Sequence, residues 1–316
     1  MIIINVKKMG WWVFIAGLFI LPIRPDMEVE QLSVRYAPAP SQFMQIQGMP
    51  VHYRDQGKGM PVVLLHGMAS SLHTWEGWVE ALAPHYRIIT VDMPGWGLTG
   101  PDPQKRYRIE DQVAFLAAFL DSLNIDRCVM GGNSMGGWFS WNFALSHPER
   151  LYGLVLVDAA GVPSGSSAAP RKRPAYFKLA ESRFFEAYVQ QATPRFLYKS
   201  MLKQVYVDDD KVDRALVNRY YHLMRREGNR QAFLDRAKQR GTGRGDFDLL
   251  GELQLPTLIL WGEQDSWIPP QHGDVFQQKI ATSVLVKFPH LGHVPMEEDP
   301  ENTVVPVKLF LEGLRR

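Results

Sequence analysis

The sequence has almost no cysteine and almost no net charge. Its single cysteine, Cys128, excludes an internal disulfide, and its place in an apolar run indicates a buried, inert thiol. The formal net charge of +2 gives no reason to expect a nucleic-acid partner. The sequence also lacks CxxC and HExxH spacings and a Walker-type phosphate loop, so it predicts neither a metal site nor an organic cofactor.

The apolar content is sufficient for a large core. Hydrophobic residues make up 46% of the 316 residues and charged residues 22%, which is typical of a globular protein. This length suits one large α/β domain of ordinary size.

The N-terminal segment contains an apolar run that is short for a membrane-spanning helix. Lys7 and Lys8 precede an apolar run of 15 residues, 9–23, which is shorter than the ~20 residues of a typical spanning helix. No small-x-small cleavage site follows, and acidic residues dominate after the run. We therefore expect residues 1–23 to be an uncleaved signal-anchor that leaves the rest of the chain on the periplasmic or extracellular side. The alternatives are secretion after signal cleavage and a helix lying on the protein's own surface.

Strand-like and helix-like segments alternate from about residue 43 onward, after a proline-bearing stretch, 24–42, that we expect to be a linker. Helical periodicity separates the strand-like runs "VHYRDQG", "MPVVLLHG", "RIITVDMPG", "DRCVMGG", "LYGLVLVDAAG", "LPTLILWGEQD" and "TSVLVKFPH". Continuous apolar strands that alternate with helices predict an α/β fold with a doubly wound, mostly parallel sheet, built from residues 43–161 and 251–316.

The intervening segment, 162–250, contains no strand-like run. Helical patterns near 176–192, 195–206, 210–227 and 229–239 predict an inserted helical cap over the C-terminal edge of the sheet. Within 171–245 there are 18 Lys and Arg residues against 8 Asp and Glu residues. This excess fits a solvated helical surface, and it also fits attraction to anionic lipid headgroups or anionic substrates.

Four glycines surround one serine in "CVMGGNSMGGWF". Gly132, Ser134 and Gly136 form a G-x-S-x-G motif between a buried strand and a helix. In that setting the glycines allow a sharp strand-to-helix turn that presents the serine hydroxyl at the open edge of the sheet. Ser134 is therefore the candidate nucleophile.

A serine nucleophile needs a base and a carboxylate that orients the base. His293 lies in a loop after the last predicted strand and is favoured over His290, three residues earlier. Asp265 lies just past a buried strand and gives the chain order Ser, Asp, His. Asp158, after an earlier strand, is the alternative acid, and Glu263 is a weaker candidate.

Two main-chain N–H groups are candidates for holding the oxyanion of an acyl-transfer intermediate. The residue after the nucleophile, Met135, supplies one. Met68, in the loop after "VVLLHG", supplies the other.

The chain resembles serine hydrolases of the α/β-hydrolase fold superfamily. The blocks "HGMASSLHTW", "DMPGWGLTGP", "GNSMGGW", "LILWGEQD" and "GHVPMEEDP" occur in the family's order, and the resemblance covers about residues 43 to 316, except for the cap, which is generic. It implies the triad Ser134, Asp265 and His293, with Met68 and Met135 as oxyanion donors.

Within the superfamily, "GNSMGG" is similar both to meta-cleavage-product C–C hydrolases and to membrane-anchored monoacylglycerol-lipase-like esterases. The C–C hydrolases usually have a more glycine-rich oxyanion loop than "HGMASS", and often a tryptophan soon after the catalytic histidine, where Val294 and Pro295 stand here. We therefore expect a lipase or esterase acting on a small-molecule ester or lipid. A C–C hydrolase and a cofactor-free perhydrolase are the alternatives, and a non-catalytic ligand-binding protein is a further one.

Several aromatic residues are candidates for lining an acyl pocket, with ordinary core packing as the alternative for each: Trp138, Trp267, Phe177, Phe184, Phe185 and Tyr188.

Overall fold

A computed structural model describes residues 24–163, 193–239 and 247–315. Its centre is an eight-stranded sheet with the strand order β1-β2-β4-β3-β5-β6-β7-β8. The strands are β1 (Ser41–Ile46), β2 (Met49–Gln56), β3 (Pro61–Leu65), β4 (Arg87–Val91), β5 (Cys128–Asn133), β6 (Leu151–Val157), β7 (Thr257–Gly262) and β8 (Ser283–Phe288). Strand β2 runs antiparallel to β1 and β4, and the other neighbouring pairs are parallel. The predicted doubly wound, mostly parallel α/β fold is confirmed.

The α-helices of the described residues are numbered in chain order. They are α1 (Val29–Tyr36), α2 (Glu76–Leu82), α3 (Ile109–Ser122), α4 (Met135–Ser146), α5 (Arg195–Val205), α6 (Arg214–Met224), α7 (Asn229–Lys238), α8 (Gln271–Lys279), α9 (Pro295–Glu298) and α10 (Pro300–Gly313). Short 3₁₀ turns span Leu72–Trp75, Pro148–Arg150, Asp209–Lys211 and Phe247–Glu252.

The apolar runs in the sequence became the buried strands. Every residue of β5 and β7 is buried, as expected of parallel strands covered on both faces. The edge strand β1 was not predicted as a separate element. Its sequence, "SQFMQI", is half polar and half exposed, so it carries no continuous apolar signal.

The expected linker 24–42 instead contains helix α1 and the start of β1. Leu32 and Tyr36 on this helix are buried against Leu98 of the core and Leu223 of α6. Before the helix, Met27 forms a parallel bridge with Arg226. The prolines of this stretch suggested a linker, but its apolar residues pack on a surface built much later in the chain.

The predicted cap helices are present wherever the structure describes them. Helices α5 and α7 match the predicted spans closely, whereas α6 is shorter than the predicted 210–227, because Asp213 rather than an earlier aspartate accepts the capping hydrogen bond. Gly228, with a φ of +82°, is the N-cap of α7. The helix predicted at 176–192 lies outside the described residues.

The expected membrane anchor, residues 1–23, also lies outside the described residues. Within 24–163, 193–239 and 247–315, no helix is long and apolar enough to cross a bilayer.

Candidate active site

Ser134 lies at a sharp turn between β5 and α4. Its backbone has φ 52° and ψ −112°, a conformation that residues with a side chain rarely adopt. Two glycines make room for this turn. A Cβ on Gly132 would overlap the backbone of Gly136, and a Cβ on Gly136 would overlap the carbonyl oxygen of Leu65. The glycine spacing in the sequence is therefore a steric requirement of the turn that presents this serine.

His293 and Asp265 form a buried hydrogen-bonded pair. His293 lies in the loop after β8, and its Nδ1 atom is 2.6 Å from Oδ2 of Asp265 in the loop after β7. The other carboxylate oxygen, Oδ1, accepts the N–H groups of Trp267 at 2.7 Å and Ile268 at 2.9 Å. These two bonds fix the carboxylate. The carboxylate in turn orients the imidazole and leaves Nε2 as the nitrogen for proton exchange.

Asn133 ties the serine turn to the histidine loop. Its side-chain amide donates to the carbonyl oxygens of His293 at 2.9 Å and Val157 at 3.2 Å. On the opposite side of the turn, a Cβ on Gly67 would lie 3.3 Å from the Cβ of Ser134. Ser134 and His293 are thus brought to one edge of the sheet. Asn133 was not identified from sequence, where its only signal is a polar residue inside the G-x-S-x-G motif.

The competing histidine His290, the weaker acid Glu263 and a further histidine, His66, have different surroundings. His290 and Glu263 are exposed. His66 is fully buried, accepts the N–H of Met93 at 3.0 Å through Nε2 and donates to the carbonyl oxygen of Gly67 at 2.7 Å through Nδ1. Burial lowers the pKa of His66, so its imidazole is neutral. Its role is to hold two loops together.

Asp158, the alternative acid, lies buried next to the pair. Atoms of Asp158, Asp265 and His293 all lie within 4.8 Å of one another. Burial raises the pKa of Asp158 well above its ordinary value, and the charge of Asp265 adds to the shift. His293 is hydrogen-bonded to Asp265, so the geometry favours Asp265 as the orienting carboxylate.

The two expected oxyanion donors border the serine. Met135 is the first residue of α4, where the helix dipole favours negative charge. Met68 follows Gly67 in the loop after β3 and lines a cavity that is described below. Both positions agree with the expected arrangement, and the donor roles themselves stay predictions.

A largely apolar cavity lies beside the Asp265–His293 pair. It contains about 770 Å³ of space, its open mouth included. The Trp267 ring connects it to the pair, since its centroid lies 5.5 Å from that of His293. The described lining residues contain no charged side chain: Met68, Ala69, Thr193, Leu197, Tyr198, Ser200, Met201, Gln204, Met224, Phe233 and Trp267.

The expected pocket aromatics had different outcomes. Trp267 lines the cavity, whereas Trp138 is not among its lining residues and packs with its ring centroid 5.7 Å from that of Phe139. The other four lie outside the described residues: Phe177, Phe184, Phe185 and Tyr188.

The cap is bonded directly to the loops that carry the histidine and the acid. The N–H of His293 donates to the carbonyl oxygen of Val205, the last residue of α5, at 2.8 Å. The hydroxyl of Ser266 donates to the carbonyl oxygen of Gln204 at 2.7 Å. A Cβ on Gly292 would overlap the carbonyl oxygen of Val205, so this approach depends on glycine. Helix α5 therefore contacts both loops and also lines the cavity.

Glu298 strengthens this attachment. Its Oε1 atom accepts the N–H groups of Val207 at 2.8 Å and Asp208 at 2.9 Å, and its Oε2 atom accepts the N–H of Gly292 at 2.9 Å. The carboxylate is buried and accepts three main-chain donors, so it holds the end of α5 against the histidine loop.

The preceding residue, Glu297, anchors a second cap helix. Its carboxylate accepts hydrogen bonds from Arg219 and Tyr220 of α6 and from the hydroxyl of Thr74 in the core. Neither glutamate's role is readable from sequence, because both depend on where the cap folds.

Comparison with known proteins places these features in a family. A family model described as alpha/beta hydrolase fold matches residues 60–300. A 2-hydroxy-6-oxo-2,4-heptadienoate hydrolase from Pseudomonas putida is 31% identical, over 78% of this chain and 87% of its own. Lipase 3 from a Moraxella species is 25% identical, over 83% of this chain and 80% of its own.

A solved structure agrees with these relatives. A serine hydrolase involved in carbazole degradation superposes with a TM-score of 0.72 at 27% sequence identity, over 86% of this chain and 98% of that chain. The family model covers most of the chain, and the sheet order and the serine turn fit it. The chain belongs to the alpha/beta hydrolase fold family and is a hydrolase.

Proposed function

We propose that the protein hydrolyses carboxylic esters with an apolar acyl group through an acyl-enzyme intermediate. The observation that carries this proposal is the cavity beside His293, whose described lining is largely apolar and contains no charged side chain. An alkyl chain gains about 0.8 kcal/mol for each CH₂ group buried in such a cavity. A small ester or a monoacylglycerol-type lipid is the substrate class that fits.

The proposed chemistry uses the residues at the sheet edge. Ser134 Oγ attacks the ester carbonyl while His293 Nε2 takes its proton, and Asp265 stabilises the resulting imidazolium. The N–H groups of Met68 and Met135 hold the oxyanion. Collapse of this intermediate releases the alcohol, which receives the proton from His293. A water molecule then attacks the acyl-serine by the reverse path, and the acid leaves.

A second candidate is hydrolysis of a C–C bond, because the Pseudomonas putida relative carries that type of substrate in its name. A dienoate substrate has a carboxylate, and a buried carboxylate needs a cationic or strong hydrogen-bonding partner. The described cavity lining offers hydroxyl and amide groups but no lysine or arginine. The described lining therefore supports the ester, while the relatives support the C–C substrate equally, and the experiment below includes both.

The experiment that tests the proposal is an activity profile of the purified protein. It compares p-nitrophenyl esters from acetate to palmitate, a monoacylglycerol and a 2-hydroxy-6-oxo-dienoate. We expect ester turnover and fluorophosphonate labelling, both of which Ser134→Ala abolishes. The matched control is Ser122→Ala, since that hydroxyl bonds only its own helix at Ala118. Cleavage of the dienoate without ester turnover would replace the ester proposal by the C–C one. Inertness to every substrate and to the label would indicate a ligand-binding role.

We further propose that the protein works at a membrane surface, with the catalytic part outside the cytoplasm. Support comes from Lys7, Lys8 and the apolar run 9–23, together with the basic composition of 171–245.

A further inference from the structure

Asp158 is a buried carboxyl group that the proposed chemistry does not use. It follows β6, has a φ of +43° and is fully buried. Its Oδ1 atom accepts the N–H of Gly262 at 3.0 Å, whereas no donor reaches its Oδ2 atom; a protonated Asp158 can instead donate to the Asp265 carboxylate. An ionised carboxylate with one buried oxygen unpartnered is costly, so this environment favours the neutral acid.

The charged neighbours of Asp158 also favour its neutral form. Its carboxyl group, the Asp265 carboxylate and a ring nitrogen of His293 lie within 4.8 Å of one another, and Glu298 adds a further negative charge nearby. Two buried carboxyl groups at this separation do not both ionise at neutral pH. The proton belongs on Asp158, because Asp265 already accepts two main-chain N–H groups and bonds His293, whereas Asp158 accepts one N–H.

We propose that Asp158 is a positioning residue: a protonated carboxylic acid that keeps the charge beside His293 at one, and that becomes the anionic partner of His293 when Asp265 is lost. The inference rests on the proposed triad. In the intact protein, the Asp158–Asp265 pair then presents one negative charge to the imidazolium that forms when His293 takes the serine proton. Without the Asp265 carboxylate, the repulsion that adds to the effect of burial disappears, so the pKa of Asp158 falls and this carboxyl can ionise within reach of the imidazole.

The kinetic test uses three variants: Asp265→Asn, Asp158→Asn and the double variant. Ester turnover is measured as kcat from neutral to alkaline pH, because burial raises the pKa of Asp158 well above its ordinary value. Asp265→Asn lowers kcat by up to about 10⁴, as loss of the orienting carboxylate does in other triads, and Asp158→Asn lowers it far less. Asp265→Asn should retain at least about tenfold more activity than the double variant at high pH, and this residual activity should rise with pH. Equal activity of the two at every pH would overturn the proposal, and so would a larger loss in Asp158→Asn than in Asp265→Asn.

A second measurement does not require turnover. The infrared spectrum of the Ser134→Ala protein at neutral pH should contain the carbonyl band of a buried, protonated carboxylic acid, and the band should vanish when Asp158→Asn is added. Absence of the band from the parent protein contradicts the neutral acid even if the ester proposal holds. Conversely, a band in a protein that turns over no ester supports the neutral Asp158 while refuting the ester proposal.

Discussion

The carboxylate of Glu298 accepts the N–H of Gly292, the residue immediately before His293, at 2.9 Å. Its other oxygen accepts two N–H groups from the segment that follows α5. One side chain thus fixes the histidine loop and the cap against each other. The position of the base and the shape of the acyl cavity are therefore coupled.

Removing this carboxylate should lower turnover even at temperatures at which the variant remains folded. We expect Glu298→Ala to reduce kcat at least about tenfold, because His293 loses its fixed position, a loss of roughly 1.4 kcal/mol of transition-state stabilisation. Glu298→Gln keeps an acceptor at Oε1 and should recover part of the rate. The control is Glu301→Ala, at an exposed position of α10. Steady-state kinetics below the melting temperature of each variant checks this, and equal kcat in Glu298→Ala and the control contradicts it.

Acyl-chain selectivity should depend on Met201, which projects from α5 into the cavity lining. Met201→Trp fills space that a long acyl chain needs, so kcat/KM for palmitate should fall at least about tenfold relative to acetate. Phe196→Trp on the same helix is the control, because Phe196 is 60% exposed. A parallel loss on all chain lengths would show that the cavity does not hold the acyl group.

Stability should decline as the pH falls from about 7 to 5, in part through His73. Burial lowers the pKa of His73 from 6.5 to about 4. The unfolded chain therefore binds a proton at a pH where the folded protein does not, and the contribution to stability is lost as the pH falls from 6.5 towards 4. From pH 7 to 5 this amounts to about 2 kcal/mol.

Urea unfolding of the wild type and of His73→Gln at the two pH values measures the effect. On acidification from pH 7 to pH 5, the free energy of unfolding of the variant should fall by about 2 kcal/mol less than that of the wild type. His85→Gln, at an exposed histidine, should behave like the wild type. An identical pH dependence in all three proteins would show that His73 titrates normally in the folded state.

Helix α1 should contribute to stability through the side chain of Leu32. Leu32 is 1% exposed and packs between the core and α6, so Leu32→Ala should lower the free energy of unfolding by about 2–5 kcal/mol. Val34, two residues later, is 87% exposed, and Val34→Ala should change stability by less than about 0.5 kcal/mol. Denaturant titration compares the two, and equal effects would mean that α1 is not docked in solution.

The membrane proposal concerns residues 1–23. Deleting them should leave a fully active hydrolase, because every residue proposed for the reaction lies later in the chain. The full chain should sediment with membranes and resist release by high salt, since an apolar anchor is insensitive to screening. Mass spectrometry of the mature N-terminus distinguishes this from secretion, for which the protein would begin near residue 24 or later. A full-length chain in the soluble fraction contradicts both.

The parts of the site that could be predicted from sequence are those fixed by local geometry. Gly132 and Gly136 are needed wherever a strand turns sharply into a helix, so Ser134 was recognisable. Asp265 and His293 each follow an apolar strand, and parallel strands end at one edge, so their pairing was foreseeable. The fold could be predicted because continuous apolar runs alternate with segments of helical periodicity.

The parts that were missed depend on packing between distant segments. Helix α1 looked like a linker because prolines flank it, and its burial requires Leu98 and Leu223, which come from separate parts of the fold. The hydrogen bonds of Glu298 likewise require the cap to be in place. Local sequence patterns do not reveal contacts between segments that are far apart in the chain.

Residues 24–36 dock on α6 and α7, and this contact limits how the cap can be transferred to another hydrolase. Asp26 forms an ion pair with Arg230 of α7, and the carbonyl oxygen of Pro25 accepts hydrogen bonds from Arg225. A chimera that transplants residues 162–250 alone onto a related hydrolase would leave these cationic groups facing a foreign surface. The transferable unit is discontinuous in sequence: residues 24–36 must travel with the cap.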